Sequence, residues 1–472
     1  GALFAGVGGN PRGIFNPHYA NFGPRIGFAY QLQPNTVLRG GYGMIYGQAM
    51  DNPGAAPGFS QTTNMVASIQ EGVPNPNISL ANPYPNGILL PVGSSQGLAT
   101  NLGQSFQFAD PDMNVPRVQQ YSLEIQHQFR SNWLASLSYA GSRTSRLPVQ
   151  RQINYLPLSA LQLGAGALTA SVPNPFLNVP ATSPYAPLLK GTFLANPTLQ
   201  QQQLLVSYPQ FQASQNPRGG GILESFIPIG RAKYNSLQAE LVKRLSMGLD
   251  FSVAYTWSKT MDDYWFLNPT DPAPSWFIDP YDIPQQVKLS AVWYLPFGSG
   301  KHFASAANPA IDRIIGGWSV SAQARAQQGM PMPFPSNAAP AGGNESIANP
   351  SINRWFNTCT ILPSGALQNC LSGEKPAWTP IQSFQLVTWS PYLNNVRKPG
   401  IDNLDMAVAK ETRIKERYNL TFRADFINAT NTTQWFNGPD TNLNDGNFGR
   451  IADFTTPTND ARVIMLSLRF QF

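Results

Sequence analysis

Residues Arg462-Val-Ile-Met-Leu-Ser-Leu-Arg-Phe-Gln-Phe472 decide the fold. Phe472, Phe470, Leu468, Leu466 and Ile464 occupy every second position, and side chains two apart in a strand share a face, so one face is wholly apolar. Gln471, Arg469 and Ser467 make the other face polar. In water such a strand is an exposed edge that invites aggregation. In a closed barrel within a bilayer it is an ordinary wall strand, because the barrel pairs every backbone group and lipid takes the apolar face.

The same alternation recurs upstream in pairs. Ile26, Phe28, Tyr30 and Leu32 lead to the turn Gln33-Pro34-Asn35, and Leu38, Gly40, Tyr42, Met44 and Tyr46 return. Tyr121–Phe129 and Trp133–Tyr139 flank Ser131-Asn132. Leu237–Leu245 and Leu249–Trp257 flank Ser246-Met247-Gly248, with Lys243 alone breaking the apolar phase. Val287–Leu295 joins Trp318–Gln327 through a longer connection, and Leu404–Arg413 joins Tyr418–Phe426 through Lys415-Glu416-Arg417. Five hairpins and the terminal strand make eleven candidates, each about ten residues long, the length a tilted strand needs to cross a bilayer. The pairs are separated by 47–117, 142–232, 259–285, 328–402 and 428–461. Short turns on one side and long loops on the other are the asymmetry of outer-membrane barrels, with the long loops outside. Tyr46, Phe129, Trp133, Tyr139, Trp257, Trp293, Trp318, Phe470 and Phe472 stand near strand ends, where interfacial girdles belong. The expected fold is all-β: a transmembrane antiparallel up-and-down barrel, here a partial one of about 11–14 strands. The competing reading, a soluble β-sandwich, would pack those aromatics in its core and would not tolerate loops of this size.

Composition agrees. Only 12% of the 472 residues are charged, Pro is abundant at 43, and no apolar run is long enough for a membrane helix. The net charge of +6 is dispersed, without a Lys/Arg block. It suits attraction to outer-membrane lipid and lipopolysaccharide and gives no footprint for nucleic acid. Cys359 and Cys370, eleven apart, suggest one local disulfide in an oxidising compartment.

Sites of chemistry are sparse. Gly93-Ser94-Ser95-Gln96-Gly97 fits G-x-S-x-G but lies in a Pro/Asn/Gly loop without the strand and helix of a nucleophile elbow. His18, His127 and His302 have no ligand spacing. Met261-Asp-Asp-Tyr-Trp-Phe266 with Asp271, Asp279 and Asp282 reads as a solvated acidic loop, and a cation site is the sharper alternative. No catalytic residue, cofactor or metal site is expected. The polar phase of the strands carries Glu124, Arg130, Glu240, Arg244, Arg325, Arg423 and Asp425 toward the lumen, in mixed sign, which suggests ion pairs across the inner wall. Short helices are expected near Leu158–Thr169 and Pro197–Val206 within the loops.

Several stretches together resemble TonB-dependent outer-membrane receptors, particularly the Oar-like branch. They are Asn21-Phe-Gly-Pro-Arg-Ile-Gly-Phe-Ala-Tyr30, Leu38-Arg-Gly-Gly-Tyr-Gly-Met-Ile-Tyr46, Val118-Gln-Gln-Tyr-Ser-Leu-Glu-Ile-Gln126, Ser138-Tyr-Ala-Gly-Ser-Arg143 and Tyr234-Asn-Ser-Leu-Gln-Ala-Glu240. Tyr255-Thr-Trp-Ser-Lys259, Phe422-Arg-Ala-Asp-Phe-Ile-Asn428, Asn447-Phe-Gly-Arg-Ile451 and the Phe-Gln-Phe end complete them. The resemblance implies a barrel of about twenty-two strands closed around a plug and driven by the inner-membrane TonB complex. Residues 1–472 correspond to the C-terminal part of one barrel domain. Neither a plug nor a carboxypeptidase-regulatory-like domain is expected within them, so contact with the TonB complex would run through a plug outside this sequence. Ile464, Leu466, Leu468, Phe470 and Phe472 would serve as the signal read by the barrel-assembly machinery. The expected role is the wall of a receptor for uptake of a large ligand, loops outside the cell. The alternative is an adhesin or surface scaffold presenting the loops.

Overall fold

The computed structural model describes residues 3–13, 15–47, 58–60, 63, 65, 67–69, 73–85, 87–130, 132–189, 192–212, 221–415, 418–435, 437–451 and 457–472. Ser131, Glu416 and Arg417, assigned above to turns, lie outside these.

Alternating side chains build one large antiparallel sheet. Its path follows chain order: β1 Arg25–Gln33, β2 Thr36–Tyr46, β3 Arg117–Phe129, β4 Trp133–Gln152, β5 Ile222–Ser246, β6 Leu249–Asp262, β7 Gln285–Tyr294, β8 Trp318–Gln327, β9 Ile401–Lys415, β10 Tyr418–Ile427 and β11 Val463–Gln471. These are the eleven strands expected from the alternation. Each pairs with its neighbours in sequence, the up-and-down pattern of a membrane barrel wall, and the sheet is open between β1 and β11. Both edge strands are exposed along their length.

Register carries the face assignment from strand to strand. Tyr30, Leu38, Ile125, Leu137, Ala239, Tyr255, Val287 and Ala326 stand opposite one another in successive pairs. Val320, Val408, Ala424 and Leu466 continue such a row to β11. Leu466 and Leu468 are each 69% exposed, which in a barrel wall identifies the lipid face. The opposite face carries Arg39, Glu124, Ser138, Gln238, Thr256, Gln286 and Gln327 in one row.

The apolar stripe on β6 runs from Leu249 to Trp257, roughly 26 Å along the strand and about 20 Å of height at the usual barrel tilt. Aromatic side chains mark its limits. On the short-turn side, Trp133 packs edge-on against Phe251 at 5.5 Å, and Tyr418, Phe470 and Phe472 stack in series. On the long-loop side, the Tyr121 and Tyr139 hydroxyls both donate to Asn235 Oδ1, at 3.2 and 2.8 Å. Tyr121 also covers Gly141, where a Cβ would lie 2.5 Å from its ring. Lys243, out of phase in the sequence, reaches the turn instead. Its Nζ donates to the carbonyls of Ser246 and Leu249, both at 2.7 Å, so the stem stays among apolar groups and the charge leaves the lipid region.

Two features depart from expectation. β4 and β5 have 20 and 25 residues, twice the crossing length, and stay paired up to Leu223 opposite Gln152. Beyond Tyr139 the β4 sequence turns to Ser, Arg and Thr, because no lipid imposes an apolar phase there, so the extension is silent in the alternation. The loops also fold. Met332, Phe356, Trp378, Leu393, Val396 and Phe448 form a core drawn from the two long connections flanking β9 and β10. Leu189, Leu194 and Leu199 form another within the β4–β5 connection. The helices expected there are present in short form, as α1 Leu158–Leu161, α2 Gly164–Thr169 and α4 Gln201–Leu204, with α3 Ala186–Leu189 between them. Cys359 and Cys370 are joined as a disulfide beside the first core.

Val253 lies midway along the lipid stripe of β6, so Val253→Arg should destabilise the folded wall by about 2–4 kcal/mol, while Ser252→Arg on the polar face should cost under about 1 kcal/mol. Denaturant titration in lipid vesicles, followed by heat-modifiable gel mobility, checks the contrast. Replacing both Cys359 and Cys370 by Ser opens an eleven-residue loop and should lower the stability of that lobe by about 2–3 kcal/mol. The expected reading is faster proteolysis within 330–400, with the wall strands unaffected.

Candidate functional site

The inner face was expected to carry charges paired across the wall. Arg423 and Asp425 do pair, at 2.7 Å, but two residues apart on one strand. Glu124 accepts from Gln126 at 2.7 Å and Arg325 donates to Gln327 at 2.8 Å, again along their own strands. Glu124, Arg130, Glu240, Arg244 and Arg325 form no ion pair among the described residues. Arg130 sits in the β3–β4 turn with φ +54°, not on the wall. Side chains two apart on a strand point the same way, and that proximity outweighs pairing across neighbouring strands here. The result is a polar, water-compatible face, not a ring of fixed charge.

The long-loop end of β4–β6 is more organised. Asp262, Asp263 and Asp282 of the acidic stretch are buried, contrary to its reading as solvated, while Asp271 and Asp279 are half-buried. Asp263, 1% exposed, receives the Arg231 side chain and backbone N–H of β5, with Nε to Oδ2 at 2.7 Å. Asp282, fully buried, accepts from Arg397 at 2.7 Å and from the Thr260 N–H, with Lys259 at 3.9 Å. Asn268 holds the loop to the connection after β8: its amide donates to Val387 O and accepts from Val387 N, both at 2.8 Å. Each carboxylate escapes the cost of burial by meeting a cation or N–H from a distant segment.

Asp262 is the exception. It is 1% exposed. Among the described residues no N–H or hydroxyl donor reaches either oxygen, and only the Asp279 carboxyl is a neighbour with which to share a proton. Burial first, and then the Asp279 carboxyl, raise its pKa to about 7. Asp262 stands five residues beyond Trp257, past the lipid stripe. Nearby, burial pushes the Tyr392 phenol up to about 12. Among the described residues, no group of three or more His, Cys, Asp or Glu could hold a metal ion.

Beside this loop, a cavity of about 500 Å³ opens between the ends of β4 and β5 and the acidic loop. Pro148, Gln150, Arg151 and Gln152 come from β4, Leu223 and Phe226 from β5, and Tyr264, Trp265, Phe266 and Pro269 from the loop. Arg151 lies over the Phe266 ring at 4.9 Å, a cation–π contact, and its Nη2 donates to Asp271 O at 3.0 Å. Trp265 stacks on Tyr392 at 6.1 Å, fixing the aromatic wall. Glu224 faces Arg151 in the β4–β5 register without forming an ion pair. Burial raises the Glu224 pKa, and Asp110 adds to the effect while Arg151 opposes it. Sequence reasoning missed this site because its cation lies on a strand extension with no apolar phase.

The remaining candidates have local partners. Ser95 donates to Val92 O at 2.6 Å and sits in a turn followed by a single helical turn at Gly97–Ala99, not in a strand–helix elbow. His127 shares a hydrogen bond of 2.8 Å with Thr36 and packs on Phe129.

Residues 1–465 match the family described as outer membrane beta barrel domain. The chain belongs to that family. Its wall is therefore an outer-membrane barrel wall, and the exposed apolar rows face lipid. No curated protein matches the sequence. Among solved structures, it is similar to the pyoverdine outer membrane receptor FpvA from Pseudomonas aeruginosa, at 10% identity and a TM-score of 0.39, covering 95% of this chain and 36% of that one. The FrpB iron transporter from Neisseria meningitidis is similar at 10% identity and 0.36, covering 95% and 39%. The outer membrane transporter YddB from Escherichia coli is similar at 9% and 0.37, covering 93% and 38%. The chain spans between a third and two fifths of the length of these proteins.

Asp262 gives the long-loop rim of this barrel a defined pH response. Its folded pKa lies above the unfolded value of 3.8, so the folded loop holds more protons between about pH 4 and 7 and its stability falls as pH rises through that window. Hydrogen-exchange protection across 263–284, corrected for intrinsic rates, should be greater at pH 5 than at pH 8. Asp262→Asn should make the two equal.

Proposed function

We propose that this barrel forms part of the wall of a TonB-dependent receptor of the Oar-like branch, which captures a large ligand outside the cell and admits it along the polar face. The observation that carries this reading is the contrast between the two ends of the wall. The short-turn end has tight hairpins apart from the longer connection between β7 and β8, whereas the other end carries folded lobes that hold a walled cavity above the lipid stripe. A barrel serving only as an anchor has no use for such an assembly. The segments quoted from Asn21 to Phe472, spread along the chain in family order, support the same assignment. On this reading the apolar terminal strand engages the barrel-assembly machinery, the rim meets lipopolysaccharide, and energy reaches the barrel through a plug contacted by TonB.

Capture by the periplasmic domain of TonB from the same bacterium tests the proposal, using the full-length protein in detergent micelles, where both faces are accessible. Saturable capture is expected. Failure of capture, together with loss of cell–cell adhesion on deleting 328–400, would instead establish a surface scaffold.

A further inference from the structure

The cavity at the end of β4 and β5 has a chemistry of its own. Among the described residues Arg151 is its one cationic wall residue, and of its guanidinium only Nη2 makes a hydrogen bond, to the Asp271 carbonyl. Among the described residues its buried Nε has no partner, and neither has the buried indole Nε1 of Trp265 on the same wall. Glu224, the carboxylate facing Arg151 in register, is not bonded to it. Buried donors without acceptors are costly, and their cost is removed when an acceptor arrives. Both unfilled groups here are donors, and one carries charge. The complement is an anionic acceptor, and a planar guanidinium fork best fits a carboxylate. The other walls are the Tyr264, Trp265 and Phe266 rings with Leu223 and Phe226, which suit an apolar or aromatic body.

We infer that this cavity binds a carboxylate carried on an aromatic or apolar group, such as the C-terminal residue of an apolar peptide, with Arg151 taking the carboxylate and the 264–266 aromatics taking the body. A volume of about 500 Å³ holds one or two residues of such a ligand, within the usual range of small-molecule sites. The inference rests on the receptor reading and supplies its ligand class.

The test uses full-length protein in detergent micelles, with Trp fluorescence and calorimetry as readouts. The probes are N-acetyl-L-phenylalanine and its uncharged amide. The acid should bind saturably below about 10 mM, and the amide at least about tenfold more weakly. Arg151→Gln should erase that difference, Arg151→Lys should restore only part of it, and Trp265→Phe should weaken the acid while keeping the ring. Unchanged heat-modifiable mobility confirms that each variant is folded. Equal binding of acid and amide, or no saturable binding of the acid, overturns the carboxylate site. Retained capture by the TonB domain in that case shows that the receptor reading stands and only the ligand class has failed. Acid binding without TonB capture supports the site and rejects the receptor.

Discussion

The structure depends on one constraint: inside lipid, every backbone N–H and C=O must find a partner within the protein. An antiparallel sheet meets it strand by strand, and only while register is kept. That is why the apolar rows run unbroken from Tyr30 to Ala326 and from Val320 to Leu466. A slip of one residue at any pair would turn a strand's apolar side to the polar face and its Ser, Gln and Arg side chains into lipid. Lys243 shows how tightly the rule holds: its position is lipid-phase, yet its charge is delivered to turn carbonyls.

Above the lipid stripe the constraint lapses, and ordinary burial takes over. The loops acquire cores around Trp378, Phe356 and Leu194, and carboxylates that would be exposed in an isolated loop become anchors. Asp263 and Asp282 fix the loop after β6 to β5 and to the strand-like segment ending at Arg397. Asp262 is trapped in the same place beside the Asp279 carboxyl, with no N–H donor among the described residues, which makes the rim responsive near neutral pH.

The wall was legible in the sequence because its determinant is local. Lipid imposes a period of two on each strand separately, so Leu237, Ala239 and Leu241 announce their strand without reference to any partner. The rim was not legible because its determinants are distant. Asp282 and Arg397 are 115 residues apart, and Asn268 and Val387 are 119 apart. Nothing in Met261-Asp-Asp-Tyr-Trp-Phe266 itself says that its acids are buried. The inner-wall charges fall between these cases. Their face was readable from phase, but their partners were not, since Arg423 chose Asp425 two residues along instead of a group across the sheet.

The extension of β4 beyond the girdle has an electrostatic consequence. Twelve residues separate Tyr139 from Arg151, about 40 Å along the strand and roughly 30 Å of height at the usual tilt. At physiological ionic strength charges are screened within about 8 Å. Lipid phosphates at the girdle therefore lie several screening lengths from Arg151 and do not compete for it. Its donors are left to solutes in the water beyond the lipid, and lipid phosphates are excluded by distance alone.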